Sequence, residues 1–212
     1  MTPAPKPRTF VYIDGFNLYY GALKGTPHKW LDLDHYFRLL RPNDDVQCIR
    51  YFTAMVDGPK KSNQETYLRA LATTPVVTVV LGKFKNKRVK CSVSGCSYAG
   101  SRFFQTPEEK RTDVNIAVHM LDDAYRDLCD QILLVSGDSD LVPAVKMIAT
   151  RFPGKHITVY VPAQHPTRGS AVELRTAAHR SRDLPLNLLP HAQFPATVAD
   201  STGDFIAKPG AW

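Results

Sequence analysis

Long apolar runs are missing from these 212 residues: none reaches the roughly 18 residues that a membrane-spanning helix requires. A helical membrane protein is therefore not expected. Cysteine is scarce as well. The four present, at positions 48, 91, 96 and 129, are too few and too scattered for the disulfide framework of a small secreted domain. Free thiols in a reducing compartment are the simpler reading. The opening Met1-Thr-Pro-Ala-Pro-Lys-Pro-Arg8 carries charge but no apolar stretch of signal-peptide length behind it, so the expected location is the cytoplasm. Acidic residues are outnumbered, 20 against 27 Lys and Arg, giving a formal charge of +7 and a pI near 9.3. That balance favours polyanionic partners through counterion release and long-range attraction.

What is present alternates between two kinds of segment. After a Pro-rich lead-in over residues 1–8, expected to be disordered, Thr9-Phe-Val-Tyr-Ile13 is a β-branched and aromatic run that reads as a buried strand. It stops at Asp14-Gly-Phe-Asn17, and a helix follows to about Ala22. Leu31, Leu33, Phe37 and Leu40 predict a second helix, ended by Pro42. Val46 to Thr53 reads as a strand, Ser62 to Ala72 as a helix with Ser62 and Glu65 spaced for a capping box, and Val76 to Leu81 as a third buried strand. Residues 83–106, first basic and then rich in Ser, Gly and Cys, break the rhythm and read as an inserted hairpin or excursion at the sheet rim. A long helix is predicted from Pro107 to about Leu128, then strands at Gln131–Val135 and His156–Val161, with helices at Leu141–Ala149 and Ala171–Ala178. Such alternation predicts one α/β domain over residues 9–183. Its architecture should be three-layer, Rossmann-like α/β/α, with a mostly parallel five-stranded sheet. Residues 184–212 read as a C-terminal extension, partly flexible.

In a parallel sheet, the carboxyl ends of the strands converge on one edge, where ligands bind. Asp14 ends the first strand, and Asp138 and Asp140 follow the fourth in Val135-Ser-Gly-Asp-Ser-Asp-Leu141. Asp113 lies in the opening turns of the long helix, in line with Ile116, Ala117 and Met120, and Glu109 sits one turn earlier. Converging carboxylates raise one another's pKa, and a divalent cation removes that cost. The same ion can polarise a phosphodiester. Each residue also has a structural alternative. Asp14 could organise an Asx turn, Asp138 or Asp140 could cap the following helix, and Asp113 and Glu109 could complement a helix dipole. The coincidence of all of them at one sheet edge favours function.

The segments Phe10-Val-Tyr-Ile-Asp14-Gly-Phe-Asn17, Glu109-Lys-Arg-Thr-Asp113-Val-Asn115 and Val135-Ser-Gly-Asp138-Ser-Asp140-Leu141 resemble the NYN-domain family, in particular its bacterial LabA-like branch, within the PIN-like nuclease superfamily. The resemblance implies a PIN-like sheet and Mg²⁺- or Mn²⁺-dependent cleavage of RNA. Asp14, Asp113, Asp138 and Asp140 would form its acidic, metal-binding set, with Asn17 positioning metal or substrate. It implies hydrolysis to 5′-phosphate and 3′-hydroxyl ends.

Other features bear on the substrate. Lys83, Lys85 and Lys87 would share one face of a strand beside Arg88 and Lys90, a ribbon able to follow phosphates or simply a lysine-guarded edge. Lys110 and Arg111 lie nearer the acidic residues and are candidate phosphate contacts. Cys91 and Cys96 are spaced more widely than a zinc-knuckle pair and lack a second pair nearby. An aspartate-nucleophile phosphatase is disfavoured, because the position two residues after Asp14 holds Phe16. The competing reading is a catalytically silent module that holds RNA or a protein on the same fold. A monomer and a homo-oligomer fit the composition equally.

Overall fold

The computed structural model describes residues 5–163, 171–210 and 212. Strand β1 (Arg8–Asp14) leads into a short helix α1 (Gly15–Leu18) that widens into a π-turn over Tyr19–Leu23. There follow α2 (Leu33–Leu40), β2 (Asp45–Thr53), α3 (Lys61–Ala72) and β3 (Val77–Leu81). A hairpin of β4 (Lys83–Lys90) and β5 (Phe103–Lys110) precedes α4 (Thr112–Tyr125). The second half runs β6 (Gln131–Val135), α5 (Val142–Arg151), β7 (His156–Val161), α6 (Val172–Ala177) and β8 (Arg180–Asp183), then a small hairpin of β9 (Thr197–Ala199) and β10 (Phe205–Ala207).

The central sheet has six strands in the order β3-β2-β1-β6-β7-β8, every neighbouring pair parallel. The chain winds outward from β1 in one direction, then restarts at β6 and winds outward in the other. The order reverses between β1 and β6, and the edge beyond their carboxyl ends is the position where open α/β sheets bind ligands. Alternation along the strands supplies the two layers. Val11 and Ile13 pack beneath α1, α2 and α3 with Tyr36, Phe37 and Leu71, whereas Phe10 and Tyr12 pack beneath α4 and α5 with Ile116, Met120 and Val145. No described helix is long and apolar enough to cross a membrane.

Several expectations change. The sheet gains a sixth strand: β8, Arg-Ser-Arg-Asp, carries no apolar signal because it lies at the open edge and is mostly exposed. β3, expected to be buried, is the other edge, with Leu81 exposed. Pro107 does not open the long helix. It sits in β5 opposite Asn86, tolerated because a two-stranded ribbon leaves one side of each strand without ladder partners. Arg111, with φ of +84°, turns the chain from strand to helix, so α4 starts only at Thr112. The Ser62–Glu65 capping box does not form, because α3 already begins at Lys61 and has no side-chain cap. The C-terminal extension, expected to be loosely held, packs down: Phe194 and Ile206 are buried, and the Trp30 indole donates to the Pro195 carbonyl at 2.8 Å. Part of the 1–8 lead-in lies outside the described residues, and Arg8 already belongs to β1.

A buried polar network locks α4 to the sheet. Asp123 is 1% exposed, accepts the Tyr12 hydroxyl at 2.7 Å and pairs with Arg50 at 2.7 Å. Removing the carboxylate leaves a largely buried guanidinium and a buried phenol without their acceptor. We expect Asp123→Ala to lower unfolding free energy by about 3–5 kcal/mol. Chemical denaturation would measure it, and a loss below about 1 kcal/mol would show the network to be incidental.

Candidate active site

Asp14 is the last residue of β1 and is nearly inaccessible to solvent. Burial raises the pKa of its carboxyl, and an array of donors works against that rise. One oxygen accepts the backbone N–H groups of Phe16 and Asn17, both at 3.0 Å, which starts α1. The other accepts the Asn17 amide and the Ser136 hydroxyl, the latter at 3.2 Å. Gly15 is required by space, since a Cβ there would stand 2.7 Å from the Phe52 carbonyl oxygen and from the Tyr51 ring.

The strand across the reversal answers this arrangement. Ser136, directly after β6, donates to Asp14 and accepts the backbone N–H of Asp138 at 3.1 Å. The Gly137 N–H donates to the Asn17 amide oxygen at 3.1 Å. Asn17 is thus held at both ends of its amide, tying the β1–α1 corner to the loop after β6. Asp138 accepts the Asp140 N–H at 2.9 Å and begins a 3₁₀ turn over Ser139–Leu141. The Asx-type and capping roles foreseen for Asp14 and Asp138 are real and coexist with their place at the sheet edge.

Asp113, in the first turn of α4, is half-buried, and among the described residues its side chain makes no hydrogen bond or ion pair. Its pKa is pushed up to about 6, first by loss of water and then by the charges of Asp138, Asp14, Glu109 and Asp140. Those four carboxylates are therefore close enough to act on it electrostatically. No three described His, Cys, Asp or Glu side chains converge into a formed metal-binding group, so the carboxylates are gathered without being closed around a centre. Glu109 differs from its expected place. It lies next to last in β5 instead of on the helix, and its carboxylate accepts the Thr112 N–H at 3.2 Å and the Thr112 hydroxyl, capping α4 where Arg111 cannot.

The basic residues divide. Lys83, Lys85 and Lys87 share one face of β4, as their spacing predicts, but Phe84 on the opposite face is the one that meets Phe16, edge-on at 5.6 Å. Lys87 and Lys110 pair with Glu108 at 3.6 and 3.0 Å, and Arg88 lies 4.0 Å from the Phe103 ring. Lys83 is held below the usual lysine pKa by the charges of Arg111 and Lys85. Cys91 and Cys96 are free thiols in the connection between the hairpin arms. Ser136 was missed among the candidate residues, although it stands inside the Val135–Leu141 motif. The signal available was a hydroxyl directly after a buried strand.

The NYN domain family profile matches residues 8–185. The chain is 31% identical over 207 residues to 6-hydroxy-3-succinoylpyridine 3-monooxygenase HspA of Pseudomonas putida, a match covering 83% of this chain and 66% of that protein. The alignment thus spans just under two thirds of the relative's length. A solved structure from Vibrio parahaemolyticus, a protein of unknown function, superposes with a TM-score of 0.53 at 20% identity, covering 87% of this chain and 96% of that one. That likeness concerns the fold.

The raised Asp113 pKa carries a sign that can be tested. Its folded-state value lies above the ordinary 3.8, so folding favours the protonated form, and ionisation costs stability as pH rises from about 4 through 6. With a chelator present, Asp113→Asn should raise Tm at about pH 8, and the gain should shrink toward zero near pH 4. An equal gain at both pH values would mean that the repulsion is not its cause.

Proposed function

Because the chain belongs to the NYN domain family, we propose that it is a divalent-metal-dependent ribonuclease acting at the acidic edge beyond β1 and β6. The observation that carries this reading is Asp113, whose carboxyl is pushed up to about 6 with charges from Asp14, Asp138, Glu109 and Asp140 among the causes. Such crowding is costly in a protein alone and is relieved by a cation.

The donor set fits Mg²⁺ or Mn²⁺ by its chemistry, since it offers hard carboxylate oxygens and no thiolate or imidazole. Asp14 and Asp138 would be its principal holders, with Asp113 and Asp140 beside them directly or through water. When bound, the cation would polarise a phosphodiester and lower the pKa of water at the site. The chain's own residues do the positioning. Asn17 and Ser136 hold the Asp14 carboxylate in one orientation through its hydrogen bonds. Asp113, whose oxygens have no hydrogen-bond partner among the described residues, can receive a proton or a hydrated ligand. In the reaction, water adds to phosphorus and the ribose 3′-oxygen departs with a proton, leaving 5′-phosphate and 3′-hydroxyl ends. The basic surface supplies phosphate contacts from Lys83, Lys85, Lys87, Arg88, Lys110 and Arg111, single-stranded or structured RNA being the polyanion in view.

A second reading is favoured by the 31% identity to a monooxygenase of a substituted pyridine: oxygenation of a small aromatic substrate on the same scaffold. It requires oxygen and a two-electron reductant, whereas phosphodiester hydrolysis requires neither.

End-labelled single-stranded RNA incubated with Mg²⁺ or Mn²⁺ separates these readings. We expect cleavage by the wild type and a loss of at least about a hundredfold in Asp14→Asn and Asp138→Asn, each removing a charge from the centre. RNA bound but not cut by all three proteins would favour the silent module. Oxygen-dependent loss of 6-hydroxy-3-succinoylpyridine would favour the oxygenase. Ends bearing 2′,3′-cyclic phosphate would overturn the hydrolytic route. Replacing Lys83 and Lys85 together with Ala should flatten the salt dependence of RNA binding by about two phosphate contacts, and an unchanged slope would remove the ribbon from the interface.

A further inference from the structure

On the opposite face of the sheet from α4, between α1, α3 and the carboxyl end of β2, lies a cavity of about 280 Å³. It falls just below the roughly 300–1,000 Å³ of common small-molecule sites, enough for one substituted ring and too small for a stacked pair. Gly15 and Phe16, which follow directly on Asp14, form part of its wall. The cavity and the acidic edge therefore share the β1–α1 corner.

Its walls are aromatic and braced against each other. Tyr51 meets Tyr67 edge-on at 6.1 Å, Tyr67 meets Trp212 at 5.5 Å, and Tyr20 stacks on Phe16 at 6.5 Å. Flat walls held this way accept a planar ring by stacking or edge contact. Tyr67 is spent structurally, because its hydroxyl donates to the Leu31 carbonyl at 2.9 Å. Tyr51 is different. Only 7% of it is exposed, yet among the described residues no group hydrogen-bonds its hydroxyl. The hydroxyl is not among the fully enclosed polar atoms, so it opens to the cavity and can meet a polar atom on a ligand ring there.

The charges lining the cavity decide the sign of the ligand. Lys29 and Lys60 reach it, Asn63 adds an amide that makes no hydrogen bond among the described residues, and no Asp or Glu is among the described lining residues. Aromatic walls with carboxylates suit quaternary ammonium groups. Aromatic walls with two lysines repel them and attract anions. Gln64 is already committed, bonding the Val56 N–H and the Ala54 carbonyl, so it shapes the cavity and does not read the ligand.

We propose that this cavity is a binding site for a planar heteroaromatic ring bearing an anionic group, with the ring against Tyr20, Tyr51 and Trp212, a ring heteroatom at the Tyr51 hydroxyl and the anion at Lys29 and Lys60. The site stands whatever reaction the acidic edge performs. The ring has two sources, the base of a nucleotide or a free aromatic acid, and they share this chemistry.

The test is titration of the whole protein with AMP, UMP and nicotinate, read by tryptophan fluorescence and by calorimetry. Trp212 lines the cavity and packs 6.2 Å from Trp30, so occupancy should change the emission. Saturable one-to-one binding of at least one of the three is expected, with neutral nicotinamide weaker on the order of tenfold and benzyltrimethylammonium not binding. Lys29→Ala and Asn63→Ala, at partly exposed positions where folding should survive, should each weaken binding on the order of tenfold. Tyr51→Phe should do the same, and Asp138→Asn should leave binding unchanged. Nucleotides alone binding would assign the base of a nucleotide, and nicotinate alone a free aromatic acid. No saturation by any of the three anions, or equal binding of the ammonium probe, would overturn the proposal. So would binding indifferent to Lys29 and Asn63.

Discussion

The buried carboxylate of Asp14 sets the terms for the rest of the molecule. A carboxylate at the end of a central strand loses most of its water, and its ionised form survives there only if donors replace that water. The chain supplies them from two directions: backbone N–H groups of Phe16 and Asn17 with the Asn17 amide on one side, and the Ser136 hydroxyl on the other. The second donor comes from a loop more than a hundred residues away in sequence, so it exists only if β6 lies beside β1 in parallel register. Fold and candidate site are therefore one constraint. The reversal of strand order sets β6 beside β1, and the loop that it brings there supplies donors to Asp14.

Much of this was legible because burial leaves a signature. β1, β6 and β7 are uninterrupted apolar runs, since both faces of the inner strands are covered. Once those runs are read as parallel strands, Asp14 and Asp138 have only one place to be. The edges left weaker marks. β8 is Arg-Ser-Arg-Asp, whose pairing with β7 is carried by backbone hydrogen bonds that any sequence can make. β3 reads as a buried strand because Val76–Leu81 is apolar, yet only Val77 in it is buried. Asp113 still falls in the first turn of α4, because the helix is shorter than its pattern predicts only upstream of Thr112. Glu109 moved from helix to strand when Arg111 took the left-handed turn, a conformation that an arginine does not advertise. The C-terminal extension hid its anchors, Phe194 and Ile206, among prolines and polar residues that resemble a linker.

Charge is distributed so that the molecule can be basic overall and acidic at one edge. The hairpin of β4 and β5 docks on that edge through Phe84 against Phe16, and its lysine stripe faces the other way. Lysines directly over the carboxylates would neutralise them and compete with any cation. Set on the reverse face, they raise the potential around the site without closing ion pairs in it. Glu108 absorbs part of the charge through Lys87 and Lys110, away from the acidic residues.

The β1–α1 corner faces two environments of opposite character. On the α4 side are carboxylates that repel one another; on the α3 side are tyrosines, a tryptophan and lysines around a cavity. Gly15 lies at the boundary, and its missing side chain lets the corner pass between the Phe52 carbonyl and the Tyr51 ring. The two sides are not electrically independent, because the charge of Asp14 adds to burial in raising the Tyr51 phenol above its ordinary pKa. The charge of Asp14 is thus felt at the wall of the cavity as well as at the acidic edge. A fold hosts many functions by changing its sites, and here the proposed metal edge and the proposed ring cavity lie on either side of one tight turn at Gly15. Coupling between them needs no conformational change, only the short distance over which a buried charge is felt.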